Sequence, residues 1–230
     1  MRVHVAFTPA EAAAAQLAVV VDVLRATSTI VQALAAGYER VLCCEEIEEA
    51  KALRDSEGDS LLAGERACVR IPGFDLGNSP GEFVVPQGET VILTTTNGTR
   101  ALVAAARQCE RVLAGSLLNL EAVASAAREN GGDVAIVCAG VQGAFAMDDA
   151  YCAGRLAEQL GGEPSDAAAA AMRLARSFGS AREGLAASKS ARNLVAAGLE
   201  EDIDWCARES VLNVVPEIVG LRGTAVDVSA

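Results

Sequence analysis

A predicted strand runs directly into a predicted helix in the sequence Thr90-Val91-Ile92-Leu93-Thr94-Thr95-Thr96-Asn97-Gly98-Thr99-Arg100. The apolar residues favour a buried strand, the Asn-Gly pair favours a turn, and an Ala-rich helix follows. Free backbone N–H groups at a helix N-terminus attract anions, and the threonine hydroxyls and the Arg100 guanidinium would add donors. The passage therefore predicts a cradle for an oxyanion, with phosphate as the first candidate. The alternative is a polar turn whose Asn-Gly pair only supplies positive φ.

The same order of strand and helix extends through the first 143 residues. Short apolar runs predict strands buried on both faces, at Val3–Phe7, Leu17–Val23, Arg40–Cys44, Leu61–Ala63, Thr90–Thr94, Arg111–Ala114 and Asp133–Cys138. Helical segments lie between many of them, at Thr29–Ala36, Ile47–Ser56, Thr99–Ala106 and Leu120–Glu129. This alternation predicts an α/β fold with three layers, α/β/α, and a largely parallel sheet.

The rest of the chain is rich in predicted helix, at Ala146–Leu160, Ala167–Phe178, Lys189–Ala197 and Ile203–Arg208. Two short apolar runs follow, Leu212–Val215 and Thr224–Val228. We expect one domain over residues 1–230, in which residues 144–230 either cover the sheet or form a second lobe beside residues 1–143. The long segment Glu65–Gly88 holds too many Pro and Gly residues for a helix, and we expect it to be functional.

The composition excludes several classes of partner. The 31 acidic residues exceed the 19 Lys and Arg residues, which gives a net charge of −12. This charge opposes binding to nucleic acid or to an anionic membrane surface. No apolar run has the length of a membrane span and no leader pattern is present, so we expect a cytoplasmic protein. The seven cysteines include no C-x-x-C pair, and we expect them to be reduced.

Several kinds of phosphate chemistry lack their signatures. The sequence contains no G-x-x-x-x-G-K-[ST] motif. Cys138 is followed by Ala144 where a cysteine phosphatase needs an arginine, and Leu24 stands where a D-x-D phosphatase needs a second acid after Asp22. The single histidine, His4, lies in a predicted strand. Ser-His-Asp catalysis, phosphohistidine chemistry and His-rich zinc sites are therefore unfavourable interpretations.

Carboxylates follow three predicted strands at the point where each ends. Asp22 comes after the first, with Arg25 and Ser28 near the next helix start, Glu65-Arg66 comes after another, and Asp148-Asp149 follow a third through a glycine-containing loop. Ligands of open α/β sheets bind at this edge. Carboxylates, arginines and hydroxyls together suit a hard divalent cation and an anionic substrate. The alternative is that these residues only cap helices and contact solvent.

The combination of motifs resembles the 2-phosphosulfolactate phosphatase family over nearly the whole chain. The resemblance rests on Asp22-Val23-Leu24-Arg25-Ala26-Thr27-Ser28-Thr29, Gly64-Glu65-Arg66, Pro72-Gly73-Phe74-Asp75-Leu76-Gly77-Asn78-Ser79-Pro80, Thr94-Thr95-Thr96-Asn97-Gly98-Thr99-Arg100, Gly115-Ser116-Leu117-Leu118-Asn119, Cys138-Ala139-Gly140, Asp148-Asp149, Asp202, Cys206 and Pro216.

The resemblance implies a magnesium-dependent hydrolase that removes phosphate from 2-phospho-3-sulfolactate, a reaction of coenzyme M biosynthesis. The family tends to have Glu-Asp where this chain has Asp148-Asp149, and often has a histidine where this chain has Ser190. The first difference keeps both carboxylates.

We therefore predict a cytoplasmic Mg²⁺-dependent phosphomonoesterase for a small, multi-anionic phosphate ester. The predicted catalytic residues are Asp22, Arg25 and Arg100, and the predicted Mg²⁺ ligands are Asp22, Glu65 and Asp149. The predicted substrate-binding residues are Ser28, Arg66, Asn78, Ser79, Thr95, Asn97, Thr99, Ser116 and Asn119. Two other functions stay open: a non-catalytic protein that binds or senses small anions, and an acyl or carbohydrate enzyme that uses two carboxylates without a metal. A homodimer is also left open.

Overall fold

A computed structural model describes residues 1–12 and 15–230, and within them it shows eleven strands and nine α-helices. The strands are β1 (Arg2–Ala6), β2 (Leu17–Val21), β3 (Arg40–Cys44), β4 (Ser60–Arg66), β5 (Val69–Arg70), β6 (Thr90–Thr94), β7 (Arg111–Gly115), β8 (Val134–Cys138), β9 (Glu163–Pro164), β10 (Glu217–Arg222) and β11 (Ala225–Ser229). The helices are α1 (Ala26–Ala36), α2 (Ile47–Ser56), α3 (Gly98–Ala106), α4 (Leu120–Glu129), α5 (Met147–Leu160), α6 (Asp166–Arg176), α7 (Ala181–Ala186), α8 (Lys189–Ala196) and α9 (Glu201–Cys206). Two short 3₁₀ helices span Pro9–Glu11 and Pro80–Phe83.

The strands form one sheet in the order β5-β4-β6-β3-β11-β10-β7-β2-β8-β1-β9. Strands β4, β6 and β3 are parallel to one another, with β5 antiparallel to β4 at the edge, and β7, β2, β8, β1 and β9 form a second parallel group. The last two strands form an antiparallel hairpin between these two groups, with β11 against β3 and β10 against β7. The prediction of a largely parallel sheet is confirmed.

Helices cover both faces of the sheet. Along β2, Leu17, Val19 and Val21 pack with α4, α5 and α6, whereas Ala18 and Val20 pack with α1 and α3. Because successive side chains of a strand point to opposite faces, these two clusters lie on opposite sides of the sheet. Helix α2 packs on the face of β3, β4 and β6 that lies opposite α1 and α3. The predicted three-layer α/β/α arrangement is therefore present.

The C-terminal part of the chain differs from the sequence expectation in four places, the first being the short strand β9, which was not predicted. Helix α7 was not predicted, and Leu212–Val215 forms neither a helix nor a strand. Strand β10 was also missed: Gly220 interrupts its apolar residues Ile218, Val219 and Leu221, and four of its six residues are exposed. The apolar run Thr224–Val228 overlaps β11, which lies fully buried in the middle of the sheet apart from its last residue. Residues 144–230 thus contribute three strands to the sheet, β9, β10 and β11.

The segment Glu65–Gly88 is ordered by backbone hydrogen bonds and packing. Its first part forms the β4–β5 hairpin, and the chain then returns so that Leu76 O and Gly77 O accept from Gly64 N. Phe83, in the second 3₁₀ helix, is fully buried. The segment passes the carboxyl end of β4 and reaches α1, where Thr29 Oγ1 donates to Asn78 O over 2.9 Å.

Strand β2 is parallel to β8 and β4 is parallel to β6, but the three antiparallel pairings of β3 with β11, β11 with β10 and β10 with β7 reverse the strand direction between these two pairs. Helices α1 and α3 begin within a few residues of the ends of β2 and β6, and their first turns approach each other closely, since a β-carbon on Gly98 would lie 2.4 Å from that of Ala26. No helix in the described part of the chain is long and apolar enough to cross a bilayer.

Candidate active site

A cavity of about 160 Å³ lies where the segments that follow β2, β4, β6 and β8 come together, and we call it the Asp22 cavity. Its walls come from six places: the β2–α1 connection, the end of β4 with the following hairpin turn, the segment before the second 3₁₀ helix, the β6–α3 turn, the loop after β8, and α8. The residues that line it are Asp22, Leu24, Arg25, Glu65, Ala67, Cys68, Asn78, Thr96, Asn97, Val141, Gln142, Ser190, Asn193 and Leu194.

Asp22 follows β2 and is held by the first turn of α1. Its carboxylate accepts from Ala26 N over 3.3 Å, and its own N–H donates to Thr27 Oγ1 over 3.0 Å. The start of α3 also approaches closely, since a β-carbon on Gly98 would lie 2.4 Å from Asp22 Oδ2. Burial, reinforced by the charges of Asp148 and Glu65, raises the pKa of Asp22 to about 7.

The two acids at the start of α5 lie behind Asp22. Asp148 Oδ1 accepts from Ser190 Oγ over 3.0 Å, and burial raises the pKa of Asp148 to about 6. Asp149 accepts from Val23 N over 3.0 Å and from Gly140 N over 2.9 Å, so it joins the segments that follow β2 and β8. Burial and then the charge of Asp148 raise the pKa of Asp149 well above its ordinary value. Asp149 does not line the Asp22 cavity.

Glu65 joins two walls of the cavity. Its Oε1 accepts from Thr96 N over 2.9 Å, and its Oε2 accepts from Cys68 N over 2.8 Å. These bonds tie the end of β4 to the turn after β6 and to the hairpin turn, where Ala67 and Cys68 have left-handed φ values of 52° and 67°. Glu65 therefore positions backbone on both sides of itself while its side chain lines the cavity.

Arg25 is the single cationic side chain among the described residues that line the cavity. Its Nη1 donates to Asp202 Oδ2 over 2.5 Å and to Ser79 Oγ over 2.8 Å. Ser79 Oγ in turn donates to Asp202 Oδ2 over 2.8 Å. The Arg25 side chain is only 3% exposed. The cavity thus contains a buried cation opposite a buried carboxylate.

Two polar atoms of wall residues are buried without a hydrogen-bond partner in the described part of the chain, Asn78 Oδ1 and Thr96 Oγ1. Buried polar groups normally have a partner, so an unpaired one in a cavity wall indicates a site for a ligand, ion or water. Asn97, also in the wall, accepts from Gln142 N over 2.9 Å and thereby connects the β6–α3 turn to the loop after β8.

The donor set fits a hard divalent cation, although residues 1–12 and 15–230 contain no cluster of three or more His, Cys, Asp and Glu side chains that could hold a metal ion. Magnesium usually has one or two carboxylates and completes its shell with water and substrate phosphate. Asp22 is a carboxylate in the cavity wall, Glu65 is a second, and Asn78 offers an unpaired oxygen. A nearby cation would also offset the unfavourable burial of the Asp22 charge.

Two predicted arginines lie outside this cavity. Arg66 donates to Glu65 O over 2.7 Å and to Thr94 Oγ1 over 3.0 Å, so its guanidinium holds strand ends together. Arg100 forms an ion pair with Glu46 over 2.6 Å. It lines a neighbouring cavity of about 500 Å³, which we call the Arg100 cavity and which shares Thr96, Asn97 and Gln142 with the Asp22 cavity.

The remaining predicted polar residues form hydrogen bonds that hold the backbone turns in which they lie. Ser28 donates to Val23 O over 2.8 Å, and Thr95 and Thr99 bond to one another across the turn before α3. Asn119 accepts from Ser116 N and donates to Val214 O, which fixes the turn before α4 against the C-terminal segment. These five residues do not line the Asp22 cavity; Asn78 does, and Ser79 reaches it through Arg25.

No role was predicted from the sequence for several residues of the site. Asp202 was part of the resemblance, but its pairing with Arg25 joins positions 177 residues apart and leaves no local signal. Gln142 and Asn193 also line the cavity, and so does Cys68, whose thiol pKa is raised by burial. The pair Asp148-Asp149 was evident in the sequence. The hydrogen bond between Asp148 and Ser190, however, depends on the packing of α8 against α5.

Comparison with known proteins gives a consistent result. A family model described as 2-phosphosulpholactate phosphatase matches residues 4–220. A protein of Thermus thermophilus is 42% identical over 98% of this chain and 98% of its own length. One from Carboxydothermus hydrogenoformans is 40% identical over 94% and 93%, and one from Deinococcus radiodurans is 40% identical over 88% of each chain. Each of the three is named probable 2-phosphosulfolactate phosphatase.

Proposed function

The chain belongs to the 2-phosphosulfolactate phosphatase family, and a phosphatase of this name is a phosphoric monoester hydrolase; from this we propose that it hydrolyses 2-phospho-3-sulfolactate to 3-sulfolactate and phosphate. This is a reaction of the coenzyme M biosynthesis type. The observation that supports the proposal most strongly is the Asp22 cavity, in which a buried carboxylate and a buried guanidinium face one space. A phosphate ester with its charge-balancing cation suits such a pair.

Arg25 binds the phosphoryl group in this proposal. Two of its N–H groups are used by Ser79 and Asp202, and others stay available to the cavity. Backbone N–H groups at the start of α3 add positive potential on the same side. Charge that shifts between phosphoryl oxygens as the P–O ester bond breaks is stabilised by donors that are already in place.

We propose Asp22 and Glu65 as the carboxylates that hold Mg²⁺. When bound, the ion would draw charge from a phosphoryl oxygen and help to activate the attacking water. The oxygen of that water bonds to phosphorus as the P–O ester bond breaks, and the leaving alkoxide takes up a proton that the water gives up. For Asp149, whose two oxygens accept from Val23 N and Gly140 N, we propose the role of fixing the backbone behind Asp22.

The Arg100 cavity offers a place for the second anionic group of the substrate. It meets the Asp22 cavity at Thr96, Asn97 and Gln142, so one ligand could occupy both. The net charge of −12 opposes long-range attraction of a multi-anionic substrate, and binding must therefore depend on local positive groups. We propose that Arg100 binds the sulfonate or the carboxylate while Arg25 binds the phosphate.

Arg100→Ala tests this division of roles. We expect kcat/KM for phosphosulfolactate to fall about tenfold, the low end for a lost charge-assisted hydrogen bond because Arg100 is half exposed and already paired. For glycerol phosphate, which lacks the second anionic group, kcat/KM should change less than about twofold. The measurement is initial phosphate release from phosphosulfolactate, phospholactate and glycerol phosphate.

Arg107→Ala is the matched control. Arg107 follows the same helix and pairs with Glu45 over 3.3 Å, but it lines neither cavity. The Arg107→Ala substitution should leave the rates of phosphate release from all three esters unchanged. Equal kcat/KM values of the wild-type protein for the three esters would refute the multi-anion site, and so would an equal loss on all three in Arg100→Ala.

A further inference from the structure

Asp202 makes the strongest contact of Arg25, although it comes from the far end of the chain. It lies on α9, and its Oδ2 is 2.5 Å from Arg25 Nη1. The two side chains are 10% and 3% exposed, so the pair is shielded from solvent. Ser79 completes a triangle, since its hydroxyl accepts from Arg25 and donates to the same Asp202 oxygen. Removing a buried partner of this kind leaves an uncompensated charge.

The hydrogen bonds of the Arg25 guanidinium are concentrated on one of its nitrogen atoms. Nη1 donates both of its bonds to Ser79 and Asp202, and Nη2 reaches Cys68 O only over 3.5 Å. In the described part of the chain, Nε has no hydrogen-bond partner. One end of the guanidinium is therefore anchored, and donors along the rest of it are available to an oxyanion in the Asp22 cavity.

Arg25 needs a partner that holds its side chain in place, because the carboxylates of the cavity also attract its guanidinium. Asp22 and Glu65 both line the cavity, and the charge of Arg25 acts on Asp22. A free arginine has several rotamers, and one that turned onto Asp22 would use its donors on the protein itself. Asp202 and Ser79 attract the guanidinium from the other side.

We propose that Asp202 is a positioning residue which, with Ser79, holds the Arg25 guanidinium in the orientation that binds phosphate. The chemical identity of the anion rests on the proposed function, whereas the contact between the residues does not. Asp202 acts through Arg25 and does not itself touch the substrate.

Asp202→Asn in the full chain tests the proposal, with inorganic phosphate as the probe in isothermal titration calorimetry. The amide keeps the size of the side chain and loses its charge. We expect the phosphate Kd to rise at least about tenfold, the scale of a charge-assisted hydrogen bond. The KM for phosphosulfolactate should rise with it. Asp204→Asn is the matched control: it lies on the same helix, pairs with Arg182 over 2.5 Å at an exposed position, and should leave the phosphate Kd unchanged.

A double-mutant cycle separates positioning from a purely structural role. In the Arg25→Ala background, Asp202→Asn should change the phosphate Kd less than about twofold, because the residue through which it acts is gone. An equal loss of affinity in both backgrounds would overturn the proposal, as would a wild-type Kd in the single variant. If Asp202→Asn does not fold, Ser79→Ala decides: we expect at least about a threefold weaker phosphate affinity, and no change would overturn the proposal.

Failure of the proposed function gives a different pattern. A wild-type chain that binds phosphate but releases none from phosphosulfolactate would refute the proposed reaction, while the cycle would still decide the role of Asp202. A chain that hydrolyses the ester and shows no effect of Asp202→Asn on phosphate affinity would refute the positioning role alone.

Discussion

Asp22→Asn should reduce kcat for phosphate release by at least about a thousandfold, close to complete loss. The change keeps the shape of the side chain and removes the charge that we propose to hold Mg²⁺ at the reacting phosphate. Asp22 is 7% exposed and lines the cavity, so bulk water cannot take over the proposed role of its carboxylate in holding Mg²⁺. The measurement is Mg²⁺-dependent phosphate release by the purified variant.

The same variant should fold at least as well as the wild-type protein. Burial, with Asp148 and Glu65, raises the pKa of Asp22 to about 7, so the charged form costs stability as the pH rises above the ordinary pKa of an aspartate. An asparagine carries no charge to bury. Urea unfolding at pH 8 should therefore show an equal or higher midpoint. Asp133→Asn, an exposed acid paired with Arg2, is the control that should leave activity unchanged. An Asp22→Asn protein with wild-type kcat would contradict the role assigned to Asp22.

Gly98→Ala should lower kcat/KM at least about a hundredfold, the scale of a misplaced reacting group. A β-carbon at this position would lie 2.4 Å from Asp22 Oδ2 and 2.4 Å from the β-carbon of Ala26. Both neighbours are buried, so either the Asp22 carboxylate moves or helices α1 and α3 separate. Overpacking of this kind should also lower the free energy of unfolding by about 1–3 kcal/mol.

Gly220→Ala is the matched control for this change. Gly220 has no heavy atom within 4 Å of the added β-carbon, so both activity and stability should stay near wild type. Steady-state kinetics and urea unfolding on the two variants make the comparison. A Gly98→Ala enzyme with unchanged kcat/KM would show that the close approach of α3 to Asp22 does not matter for catalysis.

The sequence predicted the layers of the fold and the strand ends from which the residues of the site come. The apolar run Leu17–Val21 forms a strand buried at all five residues, as expected for a strand covered on both faces. The expectation that strand ends of an α/β sheet share one edge placed Asp22, Glu65 and the Thr96-Asn97 turn together. The structure brings all of them to one cavity, although β2 runs antiparallel to β4 and β6 because of the pairings through β10 and β11.

Pairings over long sequence distances could not be predicted. Strand β10 joins the middle of the sheet through Glu217 and Leu113, and its exposed residues give no periodic signal. The partner of Arg25 is set by the packing of α9 against the second 3₁₀ helix, which no local pattern encodes. Helix position alone does not tell where a long side chain points, so Arg100 was predicted for the main site but lines the neighbouring cavity.

Phosphate release from 2-phosphosulfolactate, with Mg²⁺ and then with excess EDTA, is the most direct test of the proposed function. We expect multiple turnovers with Mg²⁺, loss of turnover in EDTA, and recovery when Mg²⁺ is restored. Turnover that EDTA does not affect would contradict the metal assignment to Asp22 and Glu65. Phosphosulfolactate that binds with Mg²⁺ present but releases no phosphate would contradict the phosphatase itself and identify an anion-binding protein.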